Sequence, residues 1–275
     1  MFSKTPYKMI KKTSFLWLAV FSFLMFSCYR VTEEKIEKTG SPEHNTLYAT
    51  LYNYYAAEYQ ALTYQAYNMG KERLLEIRKN DPENTKLAVV VDIDETILNN
   101  TPYEAKMMLE NKGYSSETWT EWCNLGVAEP VPGALEFLKY ADSLGFNIFY
   151  ITNRKKKFVE EGTIANVQKI GFPQAVKDHF LLREGDRSKE SRRQAVSENY
   201  EIVLLAGDNL GDLYEDSGVF TEREQLMLSH KEDFGKKFLV LPNAMYGTWV
   251  SAIGLSGKKQ NIDSLLQVMA KSYAK

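Results

Sequence analysis

The stretch Leu87-Ala88-Val89-Val90-Val91-Asp92-Ile93-Asp94-Glu95-Thr96 decides the fold. Its apolar run, three valines after Leu and Ala, reads as a strand buried on both faces, as strands of parallel sheets are. Open parallel sheets bind ligands beyond the carboxyl ends of their strands, which puts Asp92 and Asp94 at the mouth of a site. Side chains two apart on a strand share a face, so both carboxylates can reach one cation and one reacting atom. Two close acids repel each other, and a bound divalent cation is the simplest remedy. Taken alone, the D-x-D-x-T pattern fits a polar strand end equally well, with Thr96 capping a following helix.

Three later segments repeat the theme. Asn147-Ile148-Phe149-Tyr150-Ile151-Thr152-Asn153-Arg154 is a second apolar strand, ending in a hydroxyl and an amide that could bind a phosphoryl oxygen. An ordinary strand-to-helix turn explains it as well. Ser188-Lys189 opens a helical stretch, where a lysine opposes the helix dipole and needs another reason to be there, such as a bound phosphate. Ile202 to Ala206 then runs into Gly207-Asp208-Asn209-Leu210-Gly211-Asp212. Asp208 and Asp212 share a face if the chain turns helically after Gly207, and two such acids need a cation or donor between them.

The ordered set resembles the four motifs of the haloacid dehalogenase superfamily. More narrowly it resembles the class C acid phosphatases, which are bacterial lipoproteins with four aspartates in this arrangement. The stretches VVVDIDETILNNTPY (89–103), ITNR (151–154), SKESRR (188–193) and GDNLGDLYED (207–216) carry the likeness, and AAEYQALTYQAYN (56–68) is similar to the family's early helix. It covers about residues 45 to 255. Leu213 departs from the family's usual phenylalanine, an apolar exchange behind the site.

The resemblance implies a Mg²⁺-dependent phosphomonoesterase. Asp92 is then the nucleophile and Asp94 the acid/base. Asp92, the Asp94 backbone carbonyl and Asp208 hold the metal, and Asp212 orients metal-bound water or Lys189. Thr152 and Lys189 hold phosphoryl oxygens. Phosphoryl transfer suits such residues, since it asks for placement and charge neutralisation more than covalent invention. The cluster of acids is expected to raise at least one carboxyl pKa. An acid at position 94 separates the chain from dehalogenases and transport ATPases, but phosphomutases share it. A mutase or phosphotransferase, or a non-catalytic surface lipoprotein on the same fold, are the alternatives; the latter would be expected to have lost Asp92, Asp94, Lys189 or Asp208.

Strands near 87–93, 147–152, 178–182, 202–206 and 238–241 alternate with helical stretches near 132–144, 156–170 and 188–199. That is a doubly wound α/β parallel sheet. Residues 85–100 and 131–275 are assigned to this core, and 45–84 with 101–130 to a smaller α-helical cap. Tyr48, Tyr52, Tyr55 and Tyr59 fall on one helical stripe. Tyr52, Trp122, Tyr246 and Trp249, with Asn153, are candidates for binding the leaving group of the substrate. By resemblance this is a nucleoside 5′-monophosphate, an aryl phosphate or nicotinamide mononucleotide, although aromatic rings more often build core.

Residues 1–13 carry four lysines and no acid, and an apolar stretch from Phe15 to Phe26 ends at Ser27-Cys28. This reads as a lipoprotein signal peptide over 1–27, with lipid attached to Cys28 and a charged tether over 28–44, and places the protein in the cell envelope. An uncleaved signal anchor, or cleavage elsewhere to a soluble product, remains the other reading. Cys123 is then left without a disulfide partner. The formal charge of −2 becomes more negative with the leader removed, which argues against binding a nucleic-acid polymer. The three scattered histidines make neither a zinc site nor a histidine-phosphatase motif. A family-like homodimer is compatible with the resemblance, though no sequence pattern supports it.

Overall fold

A computed structural model describes residues 46–216, 218–255 and 262–271. Its centre is a sheet of five parallel strands, β1 (Leu87–Val91), β4 (Asn147–Lys155), β5 (Phe180–Arg183), β6 (Glu201–Gly207) and β7 (Phe238–Val240), in the order β5-β4-β1-β6-β7. The valine-rich β1 lies in the middle, paired with β4 and β6, so both its edges and both its faces are covered. Two short strands, β2 (Leu98–Asn99) and β3 (Glu129–Pro130), pair antiparallel outside the sheet.

Alternation along the strands sends residues into two separate cores. Leu87, Val89, Val91, Ile148, Tyr150, Leu204 and Ala206 share one with helices α2 (Ala57–Asn80), α5 (Ala134–Ser143) and α6 (Lys156–Ile170). Ala88, Val90, Phe149, Ile151 and Leu205 share the other with α7 (Glu190–Ser197), α8 (Leu210–Leu213) and α9 (Phe220–Ser229). Helices on both faces of a parallel sheet make the expected doubly wound α/β fold.

Helix α2 corrects one expectation. Residues 57–80 do not stand apart as cap: Tyr67 and Leu74, fully buried, lie in the main core, and Tyr67 stacks on Phe137 of α5 at 5.1 Å between centroids. A Cβ at Gly70 would sit 2.6 Å from Leu239 Cδ1 and 2.8 Å from Phe137, so only glycine lets α2 approach α5 and β7 this closely. The described residues from 46 onward fall within one compact unit. Among them no helix is long and apolar enough to cross a membrane.

The tyrosine stripe breaks at Ala56, which is extended between α1 (Leu47–Tyr55) and α2. As a result Tyr48 and Tyr55 are 85% and 75% exposed, while Tyr59 is buried. The segment expected to be helical between the first two motifs forms α3 (Thr101–Leu109) and α4 (Ser116–Leu125). Ser115 caps α4 by accepting the Thr118 N–H at 3.1 Å, and Gly126 ends it in a left-handed conformation. Helix α4 packs on α6, and Tyr103 of α3 meets Trp119 of α4 edge to face. Burial pushes the Cys123 thiol up to about 12, so it behaves as a packed thiol. The first 27 residues, Cys28 and the tether lie outside the described residues.

Candidate active site

The carboxyl ends of β1, β4, β6 and β7 meet at one place. Asp92 follows β1 directly, and its N–H still donates to Ala206 O of β6 at 2.9 Å, so its backbone is fixed by the sheet. Asp208 follows β6. Asp212 sits on the one-turn helix α8, started by a capping box in which Asn209 N–H donates to Asp212 Oδ2 at 2.9 Å. A Cβ on Gly207 would lie 2.3 Å from the Asp212 Cβ, so glycine at the end of β6 is what lets Asp212 fold back over Asp208. Arg193 of α7 anchors this turn by donating to Gly211 O and Asp212 O at 2.9 and 3.0 Å.

Carboxylate oxygens of Asp92, Asp208 and Asp212 all lie within 4.8 Å of one another. Lys189, buried at the start of α7, bridges two of them, bonding Asp92 Oδ1 and lying 2.6 Å from Asp212 Oδ1. This accounts for a lysine at a helix start. Burial works against its charge, but Asp212 and Asp92 offset that and raise its pKa. Asp208 has weaker company: Asn243, just past β7, donates to its Oδ2 at 2.8 Å, and Thr96 Oγ1 is 3.5 Å from its Oδ1. Burial, then Asp212 and Asp92, push the Asp208 carboxyl well above the carboxylate range. Asp92 is raised to about 7, by burial first and by Asp212 and Asp94, against the pull of Lys189. Three crowded carboxylates with one lysine between them form an all-oxygen donor set, which fits a hard divalent cation.

Asp94 is placed quite differently. Its Oδ1 accepts from Arg154 Nη2 at 2.8 Å, Arg154 Nε at 3.0 Å and Asn100 Nδ2 at 3.0 Å. Its carboxylate is thus held by its own donors and does not join the three-acid group. Between them, the polar turn Glu95–Thr96 is pinned by Tyr67, whose hydroxyl donates to Thr96 O at 2.6 Å.

With this geometry in place, comparison with known proteins is decisive. Residues 27–249 match the family model for the HAD superfamily, subfamily IIIB (Acid phosphatase). The chain belongs to this family of acid phosphatases. The class C acid phosphatase from Bacillus anthracis is similar in structure, with a TM-score of 0.75 and 38% identity, covering 82% of this chain and 95% of that one. The same enzyme with tungstate bound is similar at the same score and identity, covering 82% and 94%. The stem 28 kDa glycoprotein of Glycine max is 27% identical over 205 residues, 71% of this chain and 74% of its own length. Acid phosphatase 1 of Solanum lycopersicum is 29% identical over 132 residues, covering 45% of this chain and about half (51%) of its own length. The chain is a phosphomonoesterase with a HAD-like core.

Within this acid phosphatase the motif residues fall unevenly. Asp92, Asp208, Asp212 and Lys189 come together as one cluster. Thr152 is buried at the end of β4, its hydroxyl accepting the Arg154 N–H at 3.1 Å. Asn153 does not join the site: strand alternation turns it outward, where Arg192 Nη2 donates to its Oδ1 at 2.8 Å. Trp122 is committed as well, its indole N–H donating to Asn100 Oδ1 at 2.7 Å. Tyr52 lies edge to face with Tyr59, and Trp249 is partly exposed with its N–H on Tyr246 O. The Tyr246 hydroxyl is buried and unpaired among the described residues. Thr96 caps no helix but turns its hydroxyl toward Asp92 and Asp208. Leu213 is buried in the second core, as an apolar exchange behind the site should be.

Sequence reading passed over Arg154, Asn100 and Asn243. The signals were available. Arg154 is two residues beyond Thr152, so it shares that strand face, and Asn243 follows the end of β7 as Asp208 follows β6.

Proposed function

We propose that this acid phosphatase hydrolyses small phosphomonoesters through an aspartyl-phosphate on Asp92 and depends on Mg²⁺. The observation that carries this reading is Asp92 at the end of the central strand. It is held by Lys189, with carboxylate oxygens of Asp208 and Asp212 within 4.8 Å and Asp94 two residues on. Asp92 and Asp208, with the Asp94 carbonyl, would hold the Mg²⁺, which neutralises phosphoryl oxygens and keeps the crowded acids ionised. Lys189 fixes Asp92 and offers its ammonium to a phosphoryl oxygen. Asp92 attacks phosphorus as the ester oxygen leaves, and Asp94 gives that oxygen a proton. Water then opens the acyl phosphate, with Asp94 taking the proton back; such acid–base help is worth roughly 10²- to 10⁴-fold. Tungstate in the Bacillus anthracis enzyme is a tetrahedral oxyanion like the phosphate that this site would release.

Nucleoside 5′-monophosphates, nicotinamide mononucleotide and aryl phosphates are the proposed substrates. Tyr52 and Trp249 have ring surface free for stacking, which is worth about 1–3 kcal/mol per base. The leader-like sequence and Cys28 support a lipid-anchored enzyme of the cell envelope, facing small-molecule phosphates.

A phosphomonoester panel tests all of this: p-nitrophenyl phosphate, 5′- and 3′-nucleotides, nicotinamide mononucleotide and sugar phosphates, each with Mg²⁺ or EDTA. Turnover that needs Mg²⁺, falls about 10³-fold or more in Asp92→Asn and favours 5′-nucleotides is the expected result. Transfer of phosphate between positions of one sugar would instead favour a mutase. Turnover insensitive to EDTA would remove the metal, and full activity in Asp92→Asn would remove the covalent intermediate.

A further inference from the structure

Asp94 must present one free oxygen to the leaving group, and the structure shows what leaves that oxygen free. All three short donor contacts, two from Arg154 and one from Asn100, converge on Oδ1. Oδ2 has only the longer 3.3 Å contact to Arg154 Nε among the described residues. Held in this way, Oδ1 is taken up by donors and Oδ2 is the less occupied oxygen. The Asp94 side chain keeps 17% of its surface exposed.

The clamp is itself immobilised. Among the described residues Arg154 is the bulkiest fully buried side chain, at 2% exposure. Its Nη1 donates to Thr163 Oγ1 of α6 at 3.1 Å, and its guanidinium lies 5.8 Å from the Trp119 ring centre of α4. Asn100 is fixed on every polar atom. Its N–H and Nδ2 donate to Glu95 Oε1 and Oε2 at 2.8 and 3.1 Å, and its Oδ1 accepts from Trp122. A planar guanidinium with its fork used on two elements cannot be replaced by a lysine point charge. Among the described residues neither side chain bonds to the three-acid group; both spend their donors on Asp94 and its surroundings.

We propose that Arg154 and Asn100 are positioning residues for proton delivery, holding Asp94 so that its Oδ2 is aimed at the departing ester oxygen. This rests on the reading of Asp94 as the acid. In the step they serve, the Asp92–phosphorus bond forms and the bond from phosphorus to the ester oxygen breaks. The Oδ2 proton moves to that oxygen, leaving Asp94 as carboxylate beside the guanidinium. Helix α4 takes part through Trp119 and Trp122, which brace the two residues from the segment between the first two motifs.

Leaving groups supply a test that a merely structural role would not pass. p-Nitrophenolate departs without a proton, phenolate needs some help, and an alkoxide such as the 5′-oxygen of a ribose needs full protonation. kcat/KM reports the steps through phosphorylation of Asp92 and so isolates proton delivery from later hydrolysis. In Arg154→Lys, kcat/KM should fall no more than about threefold for p-nitrophenyl phosphate but about 30-fold or more for an alkyl phosphate, with phenyl phosphate between. Trp122→Phe, a milder change that removes the indole N–H donated to Asn100 Oδ1, should show the same order at smaller amplitude. Equal losses for all three substrates, or no loss in either variant, would overturn the proposal. Failure of the phosphatase reading would appear differently, as an inactive wild type in the same assay.

Discussion

Asp92 and Asp94 leave the same strand two residues apart and end in opposite surroundings. Around Asp92, three carboxylates share one lysine, and the pKa of Asp92 and Asp208 is driven up. Around Asp94, one carboxylate receives the fork of a buried arginine and an asparagine amide. The first region is short of positive charge and the second is not. The two roles proposed for these acids ask for different surroundings: Asp92 needs a cation beside it when it bonds to phosphorus, whereas Asp94 needs a fixed orientation. Sequence spacing brings the two acids together, and tertiary partners drive them apart.

Removing Lys189 should break the contrast most severely. Lys189→Met leaves Asp92 and Asp212 buried without their cation, and breaking a buried pair from one side typically costs roughly 3–5 kcal/mol. We expect a fall in thermal midpoint of several degrees at neutral pH, smaller at pH 5 where the acids can protonate, and phosphatase activity lost to background. Mg²⁺ should restore part of the midpoint, since the cation supplies charge to the same oxygens. If Mg²⁺ restores Arg154→Lys equally well, the two regions are not electrostatically distinct.

Asp208→Asn should act in the other direction on stability. Burial and its two acid neighbours make an ionised Asp208 costly in the metal-free protein, and the amide keeps the shape without the charge. The EDTA-treated variant should melt about 2–5 °C above the wild type, on the order of 1 kcal/mol. The rise in midpoint that Mg²⁺ gives the wild type should largely vanish, and the Mg²⁺ concentration for half-maximal turnover should climb at least tenfold. A variant less stable than wild type in EDTA would mean that Asn243 and Thr96 already satisfy the charge.

The crowded region was legible in the sequence because each of its members obeys a local rule. Asp92 and Asp208 end valine- and leucine-rich strands, Asp212 is one turn beyond Asp208, and Lys189 stands where a helix begins. The clamped region was not, because Arg154 and Asn100 act through partners 60 and six residues away whose geometry only the packed helices define. The alternation that hides Asn153 on the outer face also delivers Arg154 inward, so a strict period-two reading of 151–154 would have exchanged the two. Helix α2 was misassigned for a related reason. Tyrosine at 48, 52, 55 and 59 keeps a helical period across Ala56, yet the extended backbone there resets the phase. The buried face of α2 runs through Tyr59, Thr63, Tyr67, Gly70 and Leu74, and its Tyr67 and Leu74 enter the main core.

Acidity should sharpen the comparison most gently. In the metal-free protein Asp92 holds its proton up to about pH 7, whereas the same carboxyl unfolded loses it near pH 4. Between these values the folded state binds the extra proton, so metal-free stability falls as pH rises through that window. Mg²⁺ must displace the proton, and its affinity should therefore weaken by up to about tenfold per pH unit below pH 7. Glu104, on the first turn of α3, is raised by burial to about 7 as well, but it stands outside the three-acid group. Glu104→Gln should then stabilise the protein by roughly 1–2 kcal/mol at pH 8 and hardly at all at pH 4. Calorimetric titration of Mg²⁺ into both proteins from pH 5 to 8 separates the two carboxyls. The variant should lose part of the slope of stability with pH and keep the whole slope of Mg²⁺ affinity. Loss of the affinity slope in Glu104→Gln would move the competing proton from Asp92 to Glu104.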